Sequence, residues 1–194
     1  MAALERRASV TLECRAQENK LVGIAAAYET LSGEIYGFRE KIQRGAFDKS
    51  LKENSILALY SHDDRLVLGR TSSGTLKLRS TEAGLEYEID LPDTDYANNL
   101  RELVRRGDVN QCSFGFYCPP GGDKWDRTNK PFIRTLIEVD LREISIVADP
   151  AYPQGTSAQL RDLRSVYLHH MRSHAKRWLA VEKLRFPQRR QHGS

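Results

Sequence analysis

The strongest constraint on the fold is a set of short segments in which apolar and polar side chains alternate with a period of two. Residues 85–91, LEYEIDL, follow this pattern, and so do residues 76–78, LKL. Glycine-containing turns precede both segments, at Gly74 and Gly84. A period of two places one face of an extended segment in a core and the other face in water. These segments are therefore predicted to be half-exposed antiparallel strands.

Other segments have the apolar or β-branched composition of strands with buried faces. They are residues 21–28, 56–60, 111–117, 132–139 and 143–147. Two helices are expected between the strands, at residues 46–53 and 94–106, and Gly107 supplies the stop for the second. The pattern predicts an α+β fold, mainly an antiparallel β-barrel or curled sheet with a few flanking helices.

The character of the chain changes after residues 150–153, PAYP. From residue 155 to 194, nine Lys or Arg residues and two acidic residues accompany apolar residues at helical spacing. The whole chain has a net charge of +4, so the part before this segment is net acidic. We predict an N-terminal extension at 1–20, a folded domain at 21–154, and a basic helical tail at 155–194 that docks on an acidic partner.

Composition excludes several classes of protein. The 194 residues are 40% hydrophobic and 29% charged, which is typical of a globular protein. No apolar run reaches the length that crosses a bilayer, and residues 1–20 lack the apolar stretch of a secretory signal. We expect synthesis in the cytoplasm and no membrane partner. Cys14, Cys112 and Cys118 form no CxxC pair, so neither a disulfide framework nor a zinc ribbon is predicted.

One histidine stands apart from the others. His62, in the segment YSHDD, is the only histidine before residue 169, and it follows the predicted strand at 56–60. Groups at strand ends are both rigidly held and accessible. Imidazole is also the side chain suited to proton transfer near neutral pH. A lone histidine is more often structural, but in an enzyme His62 is the candidate general base.

Two further residues supply the groups that a serine hydrolase needs besides its base. Ser113 lies among aromatic residues in QCSFGF, where Gly115 permits a close backbone approach. Glu143 is a carboxylate in an otherwise apolar strand, and a charge on a buried face needs a partner. A nucleophile, a base and an orienting carboxylate form a catalytic triad. Cys112, next to Ser113, is a second candidate for the nucleophile.

Six segments, in this order, resemble the prohead serine protease family of tailed phages. They are GAF at 45–47, SHD at 61–63, LGRT at 68–71, the stretch 84–92, SFGF at 113–116 and the stretch 143–152 from EIS to PAY. The resemblance as a whole covers about residues 20 to 160. Several separate motifs in the right order are more specific than any one of them.

The resemblance implies a barrel like that of the herpesvirus capsid maturation proteases, and a serine endopeptidase activity. The implied substrate is the major capsid protein with its scaffolding segment, cleaved inside the assembling procapsid in the host bacterial cytoplasm. Self-cleavage or self-association is implied as well. Carried over to this chain, Ser113 is the nucleophile, His62 the base and Glu143 the third member. The resemblance implies no cofactor and no metal.

Two different functions stay open on the sequence. A metal-dependent hydrolase could use His62, Asp63 and Asp64, although the remaining histidines, such as His170 and His174, lie in the basic tail. A non-enzymatic capsid assembly or scaffold protein could bind its partner through that tail. The tail lacks the aromatic stacking pattern of single-strand binders, so a protein partner is favoured over nucleic acid.

The third member of the triad and the oxyanion donors are the least determined parts of the site. If Glu143 only forms a structural ion pair, Asp140 or Asp63 is the next carboxylate that could orient His62. Backbone N–H groups or Arg142 could stabilise the tetrahedral intermediate, and the sequence does not select between them.

Overall fold

The computed structural model describes residues 4–8, 15–17, 19–35, 37–128 and 130–148. The predicted boundary at residue 154, the basic tail at 155–194 and Cys14 lie outside these residues. Within them the chain forms twelve strands and two helices. In chain order these are β1 (Glu5–Ala8), β2 (Arg15–Gln17), β3 (Lys20–Ala26), β4 (Phe38–Ile42), α1 (Asp48–Glu53), β5 (Leu57–Tyr60), β6 (Asp63–Arg70), β7 (Leu76–Ser80), β8 (Leu85–Asp90), α2 (Asp95–Arg106), β9 (Gln111–Tyr117), β10 (Asp123–Asp126), β11 (Phe132–Leu136) and β12 (Asp140–Val147).

The strands form three open sheets and not the antiparallel barrel that the sequence predicts. In the described part of the chain the strand orders are β1-β9-β12-β5-β6, β2-β3-β8-β7 and β10-β11-β4. The pairs β12–β5 and β11–β4 are parallel, and the other pairs between these strands are antiparallel. The prediction of a mainly β protein with two helices is confirmed. The prediction of a barrel is wrong. Alternation of apolar and polar residues identifies a strand but does not specify which strand it pairs with, so the pattern could not show how the sheets are arranged.

All seven segments predicted as strands contain strands, and the described residues form five more. Of the additional strands, β1, β4 and β10 are rich in charged residues, β2 is only three residues long, and β6 begins with the charged residues DDR, so none has the uniform apolar composition on which the prediction depends. Two of them lie in the segment 1–20 that the sequence predicts as an extension. Both pair with the body of the fold, β1 with β9 and β2 with β3.

Helix α2 packs an apolar stripe against the core and ends where the sequence predicts. Ala97, Leu100 and Val104 are buried at a spacing of three and four residues. Gly107 has a φ of 85° and its N–H donates to the carbonyls of Leu103 and Val104, which is a left-handed helix end that favours glycine. Neither helix in the described residues is long and apolar enough to cross a membrane.

A shared hydrophobic core joins the three sheets and fixes the face of β9 that carries the site. Phe114 stacks on Phe116 at 5.5 Å and meets Phe47 edge-on at 5.6 Å between ring centroids. Cys112 is fully buried on the same face of β9. Because side chains alternate along a strand, Ser113 and Gly115 lie on the opposite face.

Candidate active site

The order of strands in the five-stranded sheet brings the three predicted site residues to neighbouring positions. Ser113 lies on β9, Glu143 lies on the adjacent strand β12, and His62 lies in the turn that follows the next strand, β5. Ser113 is paired with Ser145, and Glu143 is paired with Gly115. Residues that face each other in an antiparallel pair project from the same side of the sheet. Ser113 and Glu143 therefore belong to one face.

His62 and Glu143 form a direct hydrogen bond. The distance from His62 Nδ1 to Glu143 Oε1 is 2.8 Å, and both side chains are largely buried, with 11% and 6% of their surface exposed. Burial acts to raise the pKa of Glu143, but the hydrogen bond and charge of His62, with help from Arg6, hold that pKa below its ordinary value. Glu143 is therefore an ionised carboxylate that can only accept hydrogen bonds.

The charge on Glu143 determines which nitrogen of His62 carries the proton. A carboxylate is an acceptor, so Nδ1 carries a proton, and in the neutral form of the ring Nε2 is then the nitrogen with the free lone pair. His62 Nε2 is buried and has no hydrogen-bond partner among the described residues. A neutral imidazole held in this tautomer can accept a proton at Nε2.

Gly115 provides the space in which this carboxylate lies. A Cβ atom at residue 115 would be 2.7 Å from Glu143 Oε1 and 2.8 Å from its Cγ, closer than Cβ atoms approach other atoms in proteins. The sequence predicts that Gly115 allows a backbone to approach a ligand. In the structure, the group that approaches this backbone is the side chain of Glu143.

Ser113 is engaged with the N-terminal strand. Its hydroxyl donates to the backbone carbonyl of Arg7 at 2.9 Å, and its side chain is completely buried. Strand β1 runs antiparallel to β9 and pairs Ala8 with Ser113. In this arrangement the proton of Ser113 points to a carbonyl oxygen and not to the imidazole.

Two residues that the sequence does not single out also contact Glu143. Arg6 is paired with Gly115 in β1, and its Nε lies 3.3 Å from Glu143 Oε1, the oxygen that also binds His62. Ser145 donates to the second oxygen at 3.5 Å and accepts the backbone N–H of His62 at 3.2 Å. The signal for Ser145 is its place in the EIS motif, two residues after Glu143. The segment around Arg6 carries no such signal.

The two carboxylates considered in place of Glu143 have partners of their own. Asp63 forms three hydrogen bonds with Arg65, which lower the pKa of Asp63 to about 2. Asp140 accepts from Asn54 at 2.7 Å and pairs with Arg142 at 3.0 Å. Arg142, a candidate oxyanion donor on the sequence, also lies over the ring of Tyr117 at 5.6 Å.

The structure also gives the positions of the candidate cysteine nucleophile and of the candidate metal ligands. Cys112 lies in the hydrophobic core, on the face of β9 opposite Ser113. Among the described residues, no group of three or more His, Cys, Asp or Glu side chains could hold a metal ion. His170 and His174 lie outside the described part of the chain.

Strand β1 is anchored by a cluster of buried charges on the face opposite Ser113. Arg7 binds Glu40 at 2.7 Å and Glu5 at 2.6 Å, and Arg134 binds the same two carboxylates. Arg134 also binds Asp123 at 2.7 Å. Except for the partly exposed Asp123, these side chains are at least 95% buried. The cluster ties β1 to strands β4, β10 and β11 of the three-stranded sheet.

Serine hydrolases use side chains of these three types, a serine, a histidine and a carboxylate. The chain matches the family model described as Caudovirus prohead serine protease over residues 6–169, and it belongs to that family. The matched segment contains all three residues. The protein is therefore a serine protease of phage proheads, with a role in capsid maturation.

The comparison with solved structures gives a match to the bacteriophage T4 capsid assembly protease, gp21. The identity is 11% and the TM-score 0.48, and the match covers 76% of this chain and 97% of that chain. No curated protein sequence matches the chain.

Proposed function

We propose that Ser113 is the nucleophile, His62 the general base and Glu143 the carboxylate that orients His62. The observation that carries this proposal is the hydrogen bond between His62 Nδ1 and Glu143 Oε1, beside an Nε2 that has no partner among the described residues. The pair is buried, on the face of the sheet to which Ser113 belongs. A base in this tautomer, held by a carboxylate, is what activation of a serine hydroxyl requires.

The reaction that we propose uses these three residues in turn. Ser113 Oγ attacks the carbonyl carbon of the scissile peptide bond while its proton moves to His62 Nε2. Glu143 stabilises the imidazolium that results, and the imidazolium then protonates the leaving amine as the carbon–nitrogen bond breaks. Water then attacks the carbonyl carbon of the acyl-enzyme and gives its proton to His62 Nε2. The second product, a carboxylic acid, leaves when the proton returns to Ser113.

In the structure, the hydroxyl of Ser113 is not yet in position for the first of these steps. The hydroxyl of Ser113 donates to the Arg7 carbonyl, so it must exchange that acceptor for His62 Nε2 before attack. Strand β1 also occupies the edge of β9 beside Ser113. A substrate that pairs with this edge as an added strand would have to displace β1 there.

Arg6 works against the proposed role of Glu143 in this arrangement. Its guanidinium and the His62 ring share Oε1 of the carboxylate. A second cation on that oxygen reduces the stabilisation left for the imidazolium. Movement of β1 would remove Arg6 from Glu143 and Arg7 from Ser113 together, because both arginines lie on that strand.

The substrate we propose is the major capsid protein with its scaffolding segment, cleaved inside the procapsid in the host bacterial cytoplasm. The family to which the chain belongs supports this, since its members are proteases of proheads. We further propose that the protease cleaves itself or self-associates. We also propose that the fold is related to that of the herpesvirus maturation proteases.

We propose that the basic tail at 155–194 recruits the protease into the assembling shell, while residues 21–154 hold the catalytic fold. The excess of Lys and Arg in the tail supports docking on an acidic scaffold. Removal of residues 155–194 should reduce packaging into procapsids and spare cleavage of a soluble peptide. Equal loss of both would place the tail in the catalytic fold.

The proposed function is tested by co-expressing the chain with the major capsid protein of the same phage. Intact mass and the N-terminus of the mature capsid protein identify the cleaved bond. A fluorophosphonate probe, followed by peptide mapping, identifies the nucleophile. Labelling of Ser113 that needs His62 supports the proposal, whereas labelling of Cys112 or Ser145 contradicts it. Cleavage that survives the probe but stops with a chelator would favour a metal-dependent hydrolase.

A further inference from the structure

The turn that carries His62 has an unfavourable backbone conformation. Ser61 has a φ of 52° and His62 a φ of 60°, in the left-handed region where a Cβ atom meets the neighbouring carbonyl. They are the two central residues of the tight hairpin in which Tyr60 pairs with Asp63, and such a turn requires this conformation at both positions. Ser and His adopt it at a cost in free energy that contacts with the rest of the fold must offset. The orientation of the imidazole therefore depends on what binds the backbone of this turn.

Both backbone N–H groups of the turn are bound by strand β12. Ser61 N–H donates to the carbonyl of Ile146 at 3.0 Å, and His62 N–H donates to the hydroxyl of Ser145 at 3.2 Å. The first contact uses a main-chain acceptor and is available to any residue at position 146. The second depends on the identity of the side chain at position 145.

The same hydroxyl reaches the carboxylate that binds the imidazole. Ser145 Oγ donates its only hydrogen toward Glu143 Oε2, 3.5 Å away, while its lone pair accepts from His62. Glu143 uses its other oxygen for His62 Nδ1. One hydroxyl thus contacts the main chain of the proposed base and the side chain of its proposed partner.

The surroundings of Ser145 keep its hydroxyl on these two residues. Its side chain is completely buried, and Ser113 faces it from β9. Ser113 Oγ directs its own proton away from Ser145, to the Arg7 carbonyl. The hydroxyl hydrogen of Ser145 is therefore available to Glu143, and the lone pairs of the same oxygen are available to the His62 N–H.

We propose that Ser145 is a positioning residue, which holds His62 in its left-handed turn and fixes the carboxylate of Glu143 against the ring. The proposal rests on the proposed catalytic roles of those two residues. Ser145 acts through them and not on the substrate. Loss of its hydroxyl removes the hydrogen bonds to the His62 N–H and to Glu143 Oε2, so both residues can shift. Small displacements of catalytic groups lower the reaction rate strongly.

The test compares Ser145→Ala with Ser50→Ala. Ser50 is a matched control because it is also a buried serine with two hydrogen bonds to the chain near β12, to the Val139 carbonyl and from the Leu141 N–H. Each variant loses one buried hydroxyl, but of the two only Ser145 contacts His62. Ser145→Thr, which keeps a hydroxyl, serves as the conservative variant.

Two measurements distinguish positioning from a loss of stability. The first is kcat and KM for a capsid-derived peptide, normalised to the folded fraction. Ser145→Ala should lower kcat about 10- to 100-fold with little change in KM, Ser50→Ala should not, and Ser145→Thr should recover part of the loss. The second is the low-field proton resonance of His62 Nδ1 in protein labelled at histidine. Ser145→Ala should broaden or shift it, and Ser50→Ala should leave it in place.

The outcomes also separate this proposal from the proposed function. Equal kcat for the two alanine variants, with the resonance unchanged, would overturn the role of Ser145 while the triad stands. Normal cleavage by Ser113→Ala in the same assay would overturn the nucleophile instead. In that case the resonance still decides whether Ser145 positions His62, because it does not depend on which residue attacks the substrate.

Discussion

Gly115 and Glu143 face each other across strands β9 and β12, and the carboxylate of Glu143 occupies the space that a side chain at 115 would fill. Arg6 is paired with the same glycine from the opposite edge of β9. The absence of a side chain at 115 therefore lets groups from β1 and β12 meet above the central strand. This is how Glu143 can bind His62 and Arg6 at the same time.

Gly115→Ala should inactivate the protease without preventing folding. The added Cβ would lie 2.7 Å from Glu143 Oε1, so the carboxylate must move away from His62. We expect kcat to fall about 100-fold or more, as for other displacements of a catalytic group. Gly33→Ala is the control, because a Cβ there meets nothing within 4 Å. Wild-type turnover by folded Gly115→Ala would show that the carboxylate position is unimportant.

Ser113→Ala and His62→Ala should each lower the rate of capsid processing by a similarly large factor, and the double variant should be no worse than either. Nucleophile and base act as a unit, so their effects do not add. Ser113→Ala also loses the hydrogen bond to the Arg7 carbonyl, which costs about 1 kcal/mol of stability. Processing is followed by mass spectrometry and folding by circular dichroism. Additive losses in the double variant would indicate that the two residues act in separate steps.

The candidate site residues could be predicted from the sequence because each carries a local signal. His62 follows an apolar strand, Ser113 lies in SFGF, and Glu143 is an acidic residue in an apolar strand. The contact between His62 and Glu143 could not be derived, because it depends on the parallel pairing of β12 with β5. Residues 57 and 143 are far apart in the chain, and alternation carries no information about such pairing.

Two of the strands that the sequence does not predict, β1 and β4, have charges that are paired in three dimensions. Strand β1, ERRA, and strand β4, FREKI, contain Glu5, Arg7 and Glu40, which are buried against one another and against Arg134. Read alone, each segment is a polar, exposed stretch. Burial of these charges becomes favourable only once the partners from other strands are present, so the pattern of one segment could not reveal it.

Glu143→Gln should lower turnover less than Ser113→Ala, and it should change the acid sensitivity of the protein. The amide keeps the size of the side chain but cannot stabilise the imidazolium. The pKa of Glu143 in the folded protein lies below its ordinary value of 4.5. The ionised carboxylate therefore contributes stability that is fully present above pH 4.5. This stability is lost as the pH falls through the lowered pKa of Glu143 in the folded state.

Thermal unfolding of the two proteins between pH 7 and pH 3 checks this expectation. Wild type should lose stability relative to Glu143→Gln as the pH falls below 4.5, since only wild type has this carboxylate to protonate. The comparison cancels the carboxylates that both proteins share. A difference in melting temperature that is constant over this range would show that Glu143 has the same pKa in the folded and unfolded states.

Arg134→Ala should destabilise the protein strongly because it removes the cation shared by Glu5, Glu40 and Asp123. Arg134 is 2% exposed, and removal of one partner from a buried ion cluster costs about 3–5 kcal/mol. The unfolding free energy from urea titration gives the size of the loss. Arg105→Ala is the control, since Arg105 pairs with Glu102 at the surface and its loss should leave the urea midpoint unchanged.

Because β1 is held through Glu5, hydrogen exchange of its amides should rise more in Arg134→Ala than that of the β8 amides. Equal protection of β1 in wild type and Arg134→Ala would mean that pairing with β9, and not the charge cluster, holds this strand over Ser113.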